Sequence, residues 1–221
     1  MATITVLGVG PGDPDLLTLK ARDALQNADV VAGFETVLGP VRRWIKGEIR
    51  SMRYRNQEEE LDYVAEKARE GKKCVVCAWG DVNFSARELV DRVRQRADNV
   101  ELIPCVSSIQ VACMRLGLAM EESIFITLHA RGGYEESFEE AVGAVRLGRR
   151  NVVMLPRPFD IMPADIAKSL IAEGIPQSTR VHVLEMLTLP GERIREYTLS
   201  SLEAEVEEFS DLSILVIPNK E

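Results

Sequence analysis

The regular alternation of short apolar runs with amphipathic stretches constrains the fold of this chain more than any other feature. Two of the amphipathic stretches have apolar residues at helical spacing and end at a glycine, Gly71 and Gly174. Strand and helix patterns that alternate in this way are typical of βα units. The sequence therefore predicts an α/β fold with mainly parallel sheets. The expected strands are 4–9, 30–33, 74–79, 100–103, 124–129, 152–155, 180–186 and 212–217.

The segment 116–123 interrupts this alternation near the middle of the chain. We expect a domain boundary there, with an N-terminal α/β domain over 1–118 that contains a glycine-rich loop and a C-terminal α/β domain over 119–221. No Pro/Ser-rich linker separates them, so the two domains should pack closely. The chain has 221 residues and is 46% apolar, which is enough for a substantial core.

Charge and hydropathy weigh against several classes of function. The formal net charge of −8 disfavours nonspecific binding to nucleic acid, which needs a cationic surface. No apolar run approaches the roughly 20 residues that cross a bilayer, and no signal peptide is visible. We therefore expect a cytoplasmic protein without nucleic-acid or membrane partners.

The pair Cys74 and Cys77 has the CxxC spacing of zinc and redox sites. It lies inside an apolar run that predicts a buried strand, where residues three apart point to opposite faces. No second CxxC or His pair completes a ligand set. We interpret the cysteines as core residues and expect no metal site in the protein.

A glycine-rich loop follows the first predicted strand, with the sequence GVGPGDPDLLT over 8–18. Gly10 and Gly12 allow the backbone to approach a ligand closely, and Asp13 can cap a following helix with Pro14 in its first turn. Parallel sheets bind ligands at loops in this position. The loop is therefore a candidate binding site, although a glycine turn without a ligand would have the same sequence.

A dinucleotide-binding loop would read G-x-G-x-x-G, but Asp13 occupies the sixth position, where its carboxylate would repel a pyrophosphate. Glu35 follows the second strand, about where a ribose-binding acid would lie. A nicotinamide-dependent oxidoreductase therefore stays open as an alternative, as does a non-catalytic ligand-binding α/β module.

Two further polar loops follow predicted strands, WGDVNFS over 79–85 and IPCVSSI over 103–109. Ser107 and Ser108 can present hydroxyls to a ligand or cap a helix. Loops at the carboxyl ends of parallel strands converge on one crevice. Together, the three loops therefore indicate a binding site more strongly than any one of them.

These segments resemble the signature segments of the tetrapyrrole methylase family, namely GxGPGDP near the start, GDP followed by an aromatic residue, and PGxSS. The order and spacing match. The chain departs from the pattern at Val82, where the family usually has proline, and at Cys105, where it usually has glycine and where a side chain restricts the loop backbone. In the second half, TLHARG over 127–132 resembles a Leu-His-Gly-Arg segment in the branch of the family that methylates C5 of cobalt-precorrin-7, with Ala130 in place of the glycine.

The resemblance implies two α/β domains, usually in a homodimer, with S-adenosylmethionine held in a cleft between the domains and a tetrapyrrole substrate above it. S-adenosylhomocysteine would be the product. A C5 enzyme usually works with a separate partner that performs C15 methylation and decarboxylation. Cofactor contacts carry over onto the three loops and, less specifically, onto the ends of two strands in the second half. The expected cofactor-binding residues are Gly10, Pro11, Gly80, Asp81, Phe84, Ser107, Ser108, Leu155 and Met186.

Methyl transfer from a sulfonium needs alignment of the reactants more than it needs a catalytic triad. A proton must leave the methylated framework, and His129 is a candidate acceptor because an imidazole pKa lies near neutrality. Packing at a strand end would also explain this histidine. Asp13 is the second catalytic candidate, with helix capping as its alternative.

The carboxylates of a tetrapyrrole substrate require local cations in a chain of net negative charge. The first half has a basic cluster that consists of Arg42, Arg43, Lys46, Arg50, Arg53 and Arg55. Arginine can bind a carboxylate through two parallel hydrogen bonds. We expect Arg53 and Arg55, and separately Arg131, to bind substrate, although a solvated basic surface would have the same composition. Other precorrin methylations, uroporphyrinogen methylation and diphthine synthesis are the alternatives within the family.

Overall fold

The computed structural model describes residues 1–84, 86–129, 133–158 and 160–219. The chain divides into two compact units, Met1–Ser108 and Ile109–Glu221. Each unit contains one five-stranded sheet. This division falls before the segment 116–123, and the boundary expected between residues 118 and 119 stays a prediction.

The first unit is built on a fully parallel sheet with the strand order β3-β2-β4-β1-β5. Its strands are β1 (Thr3–Gly8), β2 (Val30–Phe34), β3 (Glu48–Met52), β4 (Cys74–Ala78) and β5 (Asn99–Ile103). Its helices are α1 (Leu19–Asn27), α2 (Glu35–Leu38), α3 (Gln57–Arg69) and α4 (Arg87–Arg94), and α5 (Ser108–Leu116) begins at its last residue. The strand order places β1 between β4 and β5, so the strands before the three polar loops are neighbours.

Cys74 and Cys77 lie on opposite faces of β4, as predicted. Cys74 packs in the core cluster that contains Val76, whereas Cys77 packs on the other side of the sheet in the cluster that contains Val75. Burial raises the pKa of the Cys74 thiol to about 11, and it also raises the pKa of Cys77. Both thiols are therefore protonated near neutral pH. Within the described residues, no group of three or more His, Cys, Asp or Glu side chains is arranged to hold a metal ion.

The second unit contains a mixed sheet with the strand order β6-β7-β10-β8-β9. Its strands are β6 (Ser123–Thr127), β7 (Asn151–Leu155), β8 (Arg180–Glu185), β9 (Arg193–Thr198) and β10 (Ser213–Ile217). Its helices are α6 (Glu135–Leu147), α7 (Pro163–Ala172) and α8 (Leu199–Glu203). Among the described residues of this unit, only the β6–β7 pair is parallel, and the other three pairs are antiparallel. The α/β class is thus confirmed, but the expectation of mainly parallel pairing is correct for the first sheet and wrong for the second. The reason is that apolar runs identify strands without fixing their direction.

All eight predicted strands are present, and two more, β3 and β9, were missed. Both missed strands lie at sheet edges and carry charged residues, with the sequences EIRSM and RIREYT. An edge strand has one neighbouring strand only and lies closer to solvent than a central strand, so charged side chains are tolerated on it. An apolar pattern therefore does not identify these two edges.

Local signals set the ends of two predicted helices. The chain turns after α3 and α7 at Gly71 and Gly174, whose φ angles of 85° and 80° lie in the left-handed region that favours glycine. Pro163 begins α7, where its missing N–H costs no hydrogen bond. No helix in the described residues is long and apolar enough to span a membrane.

Candidate functional site

The carboxyl ends of β1, β4 and β5 lie side by side at one edge of the first sheet. We call the segments that follow them the first loop (residues 9–13), the second loop (79–84) and the third loop (104–107). The sequence predicted that these loops converge. Parallel pairing of three neighbouring strands brings them together, as this prediction requires.

The first and second loops are joined by a backbone bridge between Gly10 and Gly80. The N–H of Gly10 donates to the carbonyl of Gly80 at 3.1 Å, and the N–H of Gly80 donates to the carbonyl of Gly10 at 2.9 Å. Their φ angles are 84° and 60°. Glycine adopts this left-handed region at no steric cost, so glycine at both positions allows the backbone geometry that the bridge requires.

Gly8, the last residue of β1, lies where all three loops meet. A Cβ atom at this position would lie 2.2 Å from the carbonyl oxygen of Gly80 and 3.0 Å from Cβ of Cys105. The nearest obstacle is backbone, which cannot rotate away as a side chain can. A hydrogen is therefore the only side chain that this approach allows.

Asp81 ties the second loop to the third. One carboxylate oxygen accepts from the N–H of Asn83 at 2.8 Å, and the other accepts from the N–H of Cys105 at 2.7 Å. Hydrogen bonds from backbone N–H groups to a carboxylate are stronger than neutral ones. Asp81, predicted as a cofactor contact, thus has a definite role in building the loops, and contact with a ligand stays a prediction.

The two departures from the family pattern are accommodated in the structure. Val82 is 4% exposed and packs in the core of the first unit. Cys105 is buried, and its thiol lies 3.4 Å from the carbonyl oxygen of Leu16, within hydrogen-bonding distance. Neither side chain disrupts the bridge between Gly10 and Gly80.

Asp13 caps a helical turn, as predicted, although the turn is shorter than expected. Its carboxylate accepts from the N–H of Asp15 at 2.9 Å at the start of a 3-10 turn, Pro14–Leu16. The longer helix α1 is capped instead by Thr18, whose hydroxyl oxygen accepts from the N–H of Ala21 at 3.2 Å. A catalytic role for Asp13 stays a prediction.

The loops provide hydrogen-bonding groups without positive charge. Pro11 is buried, while Phe84, Ser107 and Ser108 are partly accessible, and Ser108 begins α5. No lysine or arginine occurs in any of the three loops. The arrangement suits a ligand that contacts glycine backbone and serine hydroxyls, and it is poorly suited to a diphosphate, which cations normally help to neutralise.

Glu35 is already engaged within the first unit. Its carboxylate accepts from Arg42 at 3.1 Å through one oxygen and from the hydroxyl of Ser51 at 2.5 Å through the other. A ribose-binding acid needs at least one of these oxygens for the sugar. Glu35 was the residue that kept a nicotinamide-binding site open as an alternative, and its contacts with Arg42 and Ser51 explain its position without a nucleotide.

The cations of the basic cluster fall into two groups, those that contact other side chains of the protein and those that stay available to a ligand. Arg42 pairs with Glu35, and Arg50 pairs with Glu60 at 2.7 Å. Arg43 stacks over Trp44, with its guanidinium carbon 4.2 Å from the ring centroid.

Arg53 and Arg55 are different, because both are exposed and, in the described part of the chain, neither side chain is in an ion pair. They follow Met52, the last residue of β3, and therefore lie at the same edge of the sheet as the three loops.

His129 lies just after β6 and is partly buried. Burial lowers the pKa of its imidazole, and a hydrogen bond to the backbone of Pro156 opposes this shift. The neutral imidazole, which can accept a proton, is therefore the main form at neutral pH. Its backbone N–H donates to the hydroxyl of Thr127 at 3.3 Å. Arg131 lies outside the described residues.

Leu155 and Met186 end or follow strands of the second unit, as predicted. The carbonyl of Leu155, the last residue of β7, accepts from the N–H of Leu128 at 3.0 Å. Met186 follows β8 and has a φ angle of 50°, while Thr188 has a φ angle of 65°. Sequence reasoning missed this conformation, because no sequence signal marks a left-handed residue that is not glycine.

The family profile of the tetrapyrrole (corrin/porphyrin) methylases matches residues 3–203. The chain belongs to the tetrapyrrole methylase family. A probable cobalt-precorrin-7 C(5)-methyltransferase from Methanocaldococcus jannaschii is 31% identical, with 99% of each chain covered. The cobalt-precorrin-4 C(11)-methyltransferase of the same organism is 27% identical over 92% of this chain and 81% of its own length. A uroporphyrin-III C-methyl transferase from Thermus thermophilus, complexed with S-adenyl homocysteine, has a TM-score of 0.75 at 23% identity, covering 98% of this chain and 92% of that one.

The predicted family is thereby confirmed over nearly the whole length of the chain. A tetrapyrrole methylase transfers a methyl group, so the oxidoreductase and binding-only alternatives lose their support. The engagement of Glu35 by Arg42 and Ser51 agrees with this conclusion.

We predict that Gly8→Ala destabilises this tetrapyrrole methylase by about 1–3 kcal/mol, because the added methyl group overlaps the carbonyl of Gly80. Gly143→Ala is the matched control, since Gly143 lies within α6 and its Cβ would meet nothing within 4 Å. The control should be neutral or more stable by about 0.5–1 kcal/mol. Urea unfolding followed by circular dichroism measures both changes. Equal stability of the two variants would contradict the close approach at Gly8.

Proposed function

We propose that this protein methylates C5 of cobalt-precorrin-7 with S-adenosylmethionine as the methyl donor. The observation that carries the proposal is the 31% identity to a probable cobalt-precorrin-7 C(5)-methyltransferase over 99% of both chains. Cobalt belongs to the substrate in this proposal. The protein itself then needs no metal for the reaction.

The three loops of the first unit are the proposed binding site for the cofactor. Their backbone is free of side chains at Gly10 and Gly80, and Ser107 and Ser108 offer hydroxyls next to the start of α5. Pro11 and Phe84 add apolar contact surface. A related structure contains S-adenyl homocysteine, which supports this choice of cofactor. Contacts from Leu155 and Met186 are proposed as well.

Bound S-adenosylmethionine supplies a methyl group on a positively charged sulfur. The task of the protein is to hold both reactants in line and to keep water away from the reacting atoms. His129 is proposed to accept the proton that the methylated carbon framework loses, because its lowered pKa keeps the imidazole neutral. Asp13 stays a weaker candidate, since its carboxylate already caps a helical turn.

Arg53 and Arg55 are proposed to bind carboxylates of the tetrapyrrole. Both are exposed, and both lie at the edge of the sheet where the loops converge. Arg42 and Arg50, by contrast, are held by glutamates. Local positive charge at this edge offsets the net charge of −8 for an anionic substrate. Arg131 is a further candidate that the structure does not describe.

We predict that the wild-type protein binds S-adenosylhomocysteine and that Asp81→Ala weakens binding at least about tenfold, or ~1.4 kcal/mol. The reason is that Asp81 fixes the second loop to the N–H of Cys105. Isothermal titration calorimetry measures the affinity. Asp91→Ala is the control, because Asp91 lies on the exposed side of α4 and its carboxylate pairs with Arg87 and Arg94. Absence of binding to the wild-type protein would overturn the proposed function.

We predict that Arg53→Ala and Arg55→Ala each raise the KM for the tetrapyrrole about fivefold, or ~1 kcal/mol, with little change in the KM for S-adenosylmethionine. The KM of the wild-type enzyme should rise with salt, and this dependence should weaken in the variants, because salt screens exposed charges. Arg87→Ala is the control, since the side chain of Arg87 is 93% exposed on α4. Steady-state kinetics at two ionic strengths makes the measurement. An unchanged KM in both variants would remove these arginines from the substrate site.

We predict that His129→Gln lowers kcat about a hundredfold without raising the KM for S-adenosylmethionine. In the wild-type enzyme, kcat should fall as the pH drops through the pKa of His129, which lies below its ordinary value of 6.5, because only the neutral imidazole accepts a proton. The variant should lose this acid limb. His182→Gln is the control, because His182 lies within β8 opposite Glu196. If the acid limb persists in His129→Gln, another group takes the proton.

The methylated position decides between the proposal and its alternatives. The relative that methylates C11 of cobalt-precorrin-4 is 27% identical, so a different ring position is the main competing proposal. Diphthine synthesis, on a protein substrate, is a second. Incubation with S-adenosylmethionine carrying a carbon-13 methyl group, followed by NMR of the product, locates the new methyl group directly.

We further propose a cytoplasmic homodimer whose product passes to a separate enzyme that methylates C15 and decarboxylates. The family resemblance supports the homodimer and the separate C15 enzyme. Light scattering after size exclusion tests the dimer against the monomer mass of 24.6 kDa. Addition of the C15 enzyme to the assay tests the order of the two steps.

A further inference from the structure

The connection between β8 and β9 contains two residues in an unfavourable backbone conformation. Met186 and Thr188 have φ angles of 50° and 65°, and neither is glycine. Left-handed residues other than glycine are unfavourable and persist only where surrounding contacts enforce them. We call residues 186–192 the Met186 turn.

The Met186 turn is longer than its strands require. Glu185 and Arg193 are paired across the antiparallel β8–β9 ladder, so the turn joins two strands that already lie side by side. Hairpin connections usually need only about two to five residues and take glycine or asparagine where φ is positive. A longer turn with two strained residues indicates that its conformation serves a purpose other than connection.

Glu192 holds the turn from its C-terminal end. One carboxylate oxygen accepts from the N–H of Thr188 at 2.7 Å, and the other accepts from Nε of Arg115, on the last turn of α5, at 2.8 Å. The backbone N–H of Glu192 donates to the carbonyl of Leu189 at 3.0 Å. Arg115 and the N–H of Thr188 lower the pKa of Glu192, so its carboxylate is ionised at neutral pH.

Glu185 fixes the other end of the turn. Its side chain is 1% exposed and pairs with both Arg193 and Arg195 at 3.0 Å. It also accepts from the N–H of Ser210 at 2.9 Å. The next residue, Met186, donates its N–H to the carbonyl of Leu212 at 2.9 Å. The start of the turn is therefore anchored independently of Glu192.

We propose that Glu192, held by Arg115, is a positioning residue that keeps Met186 and Thr188 in the conformation that binds the cofactor. This inference rests on the proposed contact between Met186 and S-adenosylmethionine. Glu192 itself touches no reactant in the proposal. It acts by holding the N–H of Thr188, and Arg115 acts by orienting the carboxylate of Glu192.

An ordinary surface ion pair would not hold the backbone of a turn in one conformation. Exposed pairs contribute little to stability, and their loss leaves the local backbone unchanged. Glu192 instead binds a backbone N–H of one of the two strained residues, so its removal allows the turn to relax. A turn that relaxes must be reordered when the ligand binds, and affinity falls by that cost.

The test measures S-adenosylhomocysteine affinity and steady-state kinetics for Glu192→Leu, Glu192→Gln and Arg115→Gln. We expect Glu192→Leu to weaken binding about tenfold and to raise the KM for S-adenosylmethionine, with kcat at saturation nearly unchanged. Glu192→Gln should lose less, because its amide oxygen can still accept from the N–H of Thr188. Arg180→Gln is the matched control, since Arg180 forms the exposed β8–β9 pair with Glu196 at 3.0 Å, away from the turn.

A suppressor separates positioning from general stability. Glycine adopts a φ angle of 65° without strain, so Thr188→Gly should restore much of the affinity that Glu192→Leu loses. A side chain that only stabilised the fold would show no such rescue. Melting temperatures of all variants establish that folded proteins are compared, and Glu192→Gln serves if Glu192→Leu folds poorly.

The outcomes distinguish this inference from the proposed function. If the wild-type protein binds no S-adenosylhomocysteine, the proposed function fails. If the wild-type protein binds it, and the Glu192 and Arg115 variants bind equally well, the proposed function stands and the positioning role is wrong. Reduced affinity with an unchanged control, and rescue by Thr188→Gly, supports the positioning role.

Discussion

The backbone contact between Gly10 and Gly80 is the interaction on which the candidate site depends. It requires two neighbouring parallel strands that end at the same level and two residues that accept positive φ angles. Gly8, at the end of β1, also allows the two loops to approach closely, because the carbonyl of Gly80 occupies the space that a side chain at this position would need. The three polar loops are therefore not independent of one another. They form one backbone structure, and Asp81 extends it to the third strand through the N–H of Cys105.

The charged side chains at this sheet edge are of two kinds: some form ion pairs within the protein, and others are exposed without an ion-pair partner in the described residues. Glu35 has a carboxylate where a nucleotide-binding protein could use it, yet one of its oxygens already accepts from Arg42 and the other from Ser51. Arg53 and Arg55 lie in the same unit without such partners in the described residues. The distinction depends on neighbours and not on residue type. A protein with a net charge of −8 can therefore still present exposed cations at this sheet edge.

The second unit shows a different way of fixing a loop. In the first unit, glycine adopts the left-handed conformation without strain. In the Met186 turn, Met186 and Thr188 adopt it although they have side chains. Ion pairs and hydrogen bonds from Glu185 and Glu192 supply the necessary constraint. A residue other than glycine at such a position can contact a ligand through its side chain, whereas glycine offers only its backbone. The additional strain is therefore consistent with a binding role for Met186.

The sequence by itself determined the α/β class, the eight strands with apolar runs, the opposite faces of Cys74 and Cys77, and the family. These features depend on local periodicity and on short motifs, which a single chain displays directly. Only the tertiary structure decided that the second sheet is mixed and that the charged strands β3 and β9 complete the sheet edges. It also decided which arginines are engaged, how Asp81 joins two loops, and that Met186 is strained. Each of these depends on which side chains and strands meet in three dimensions, and the local pattern of apolar and polar residues does not contain that information.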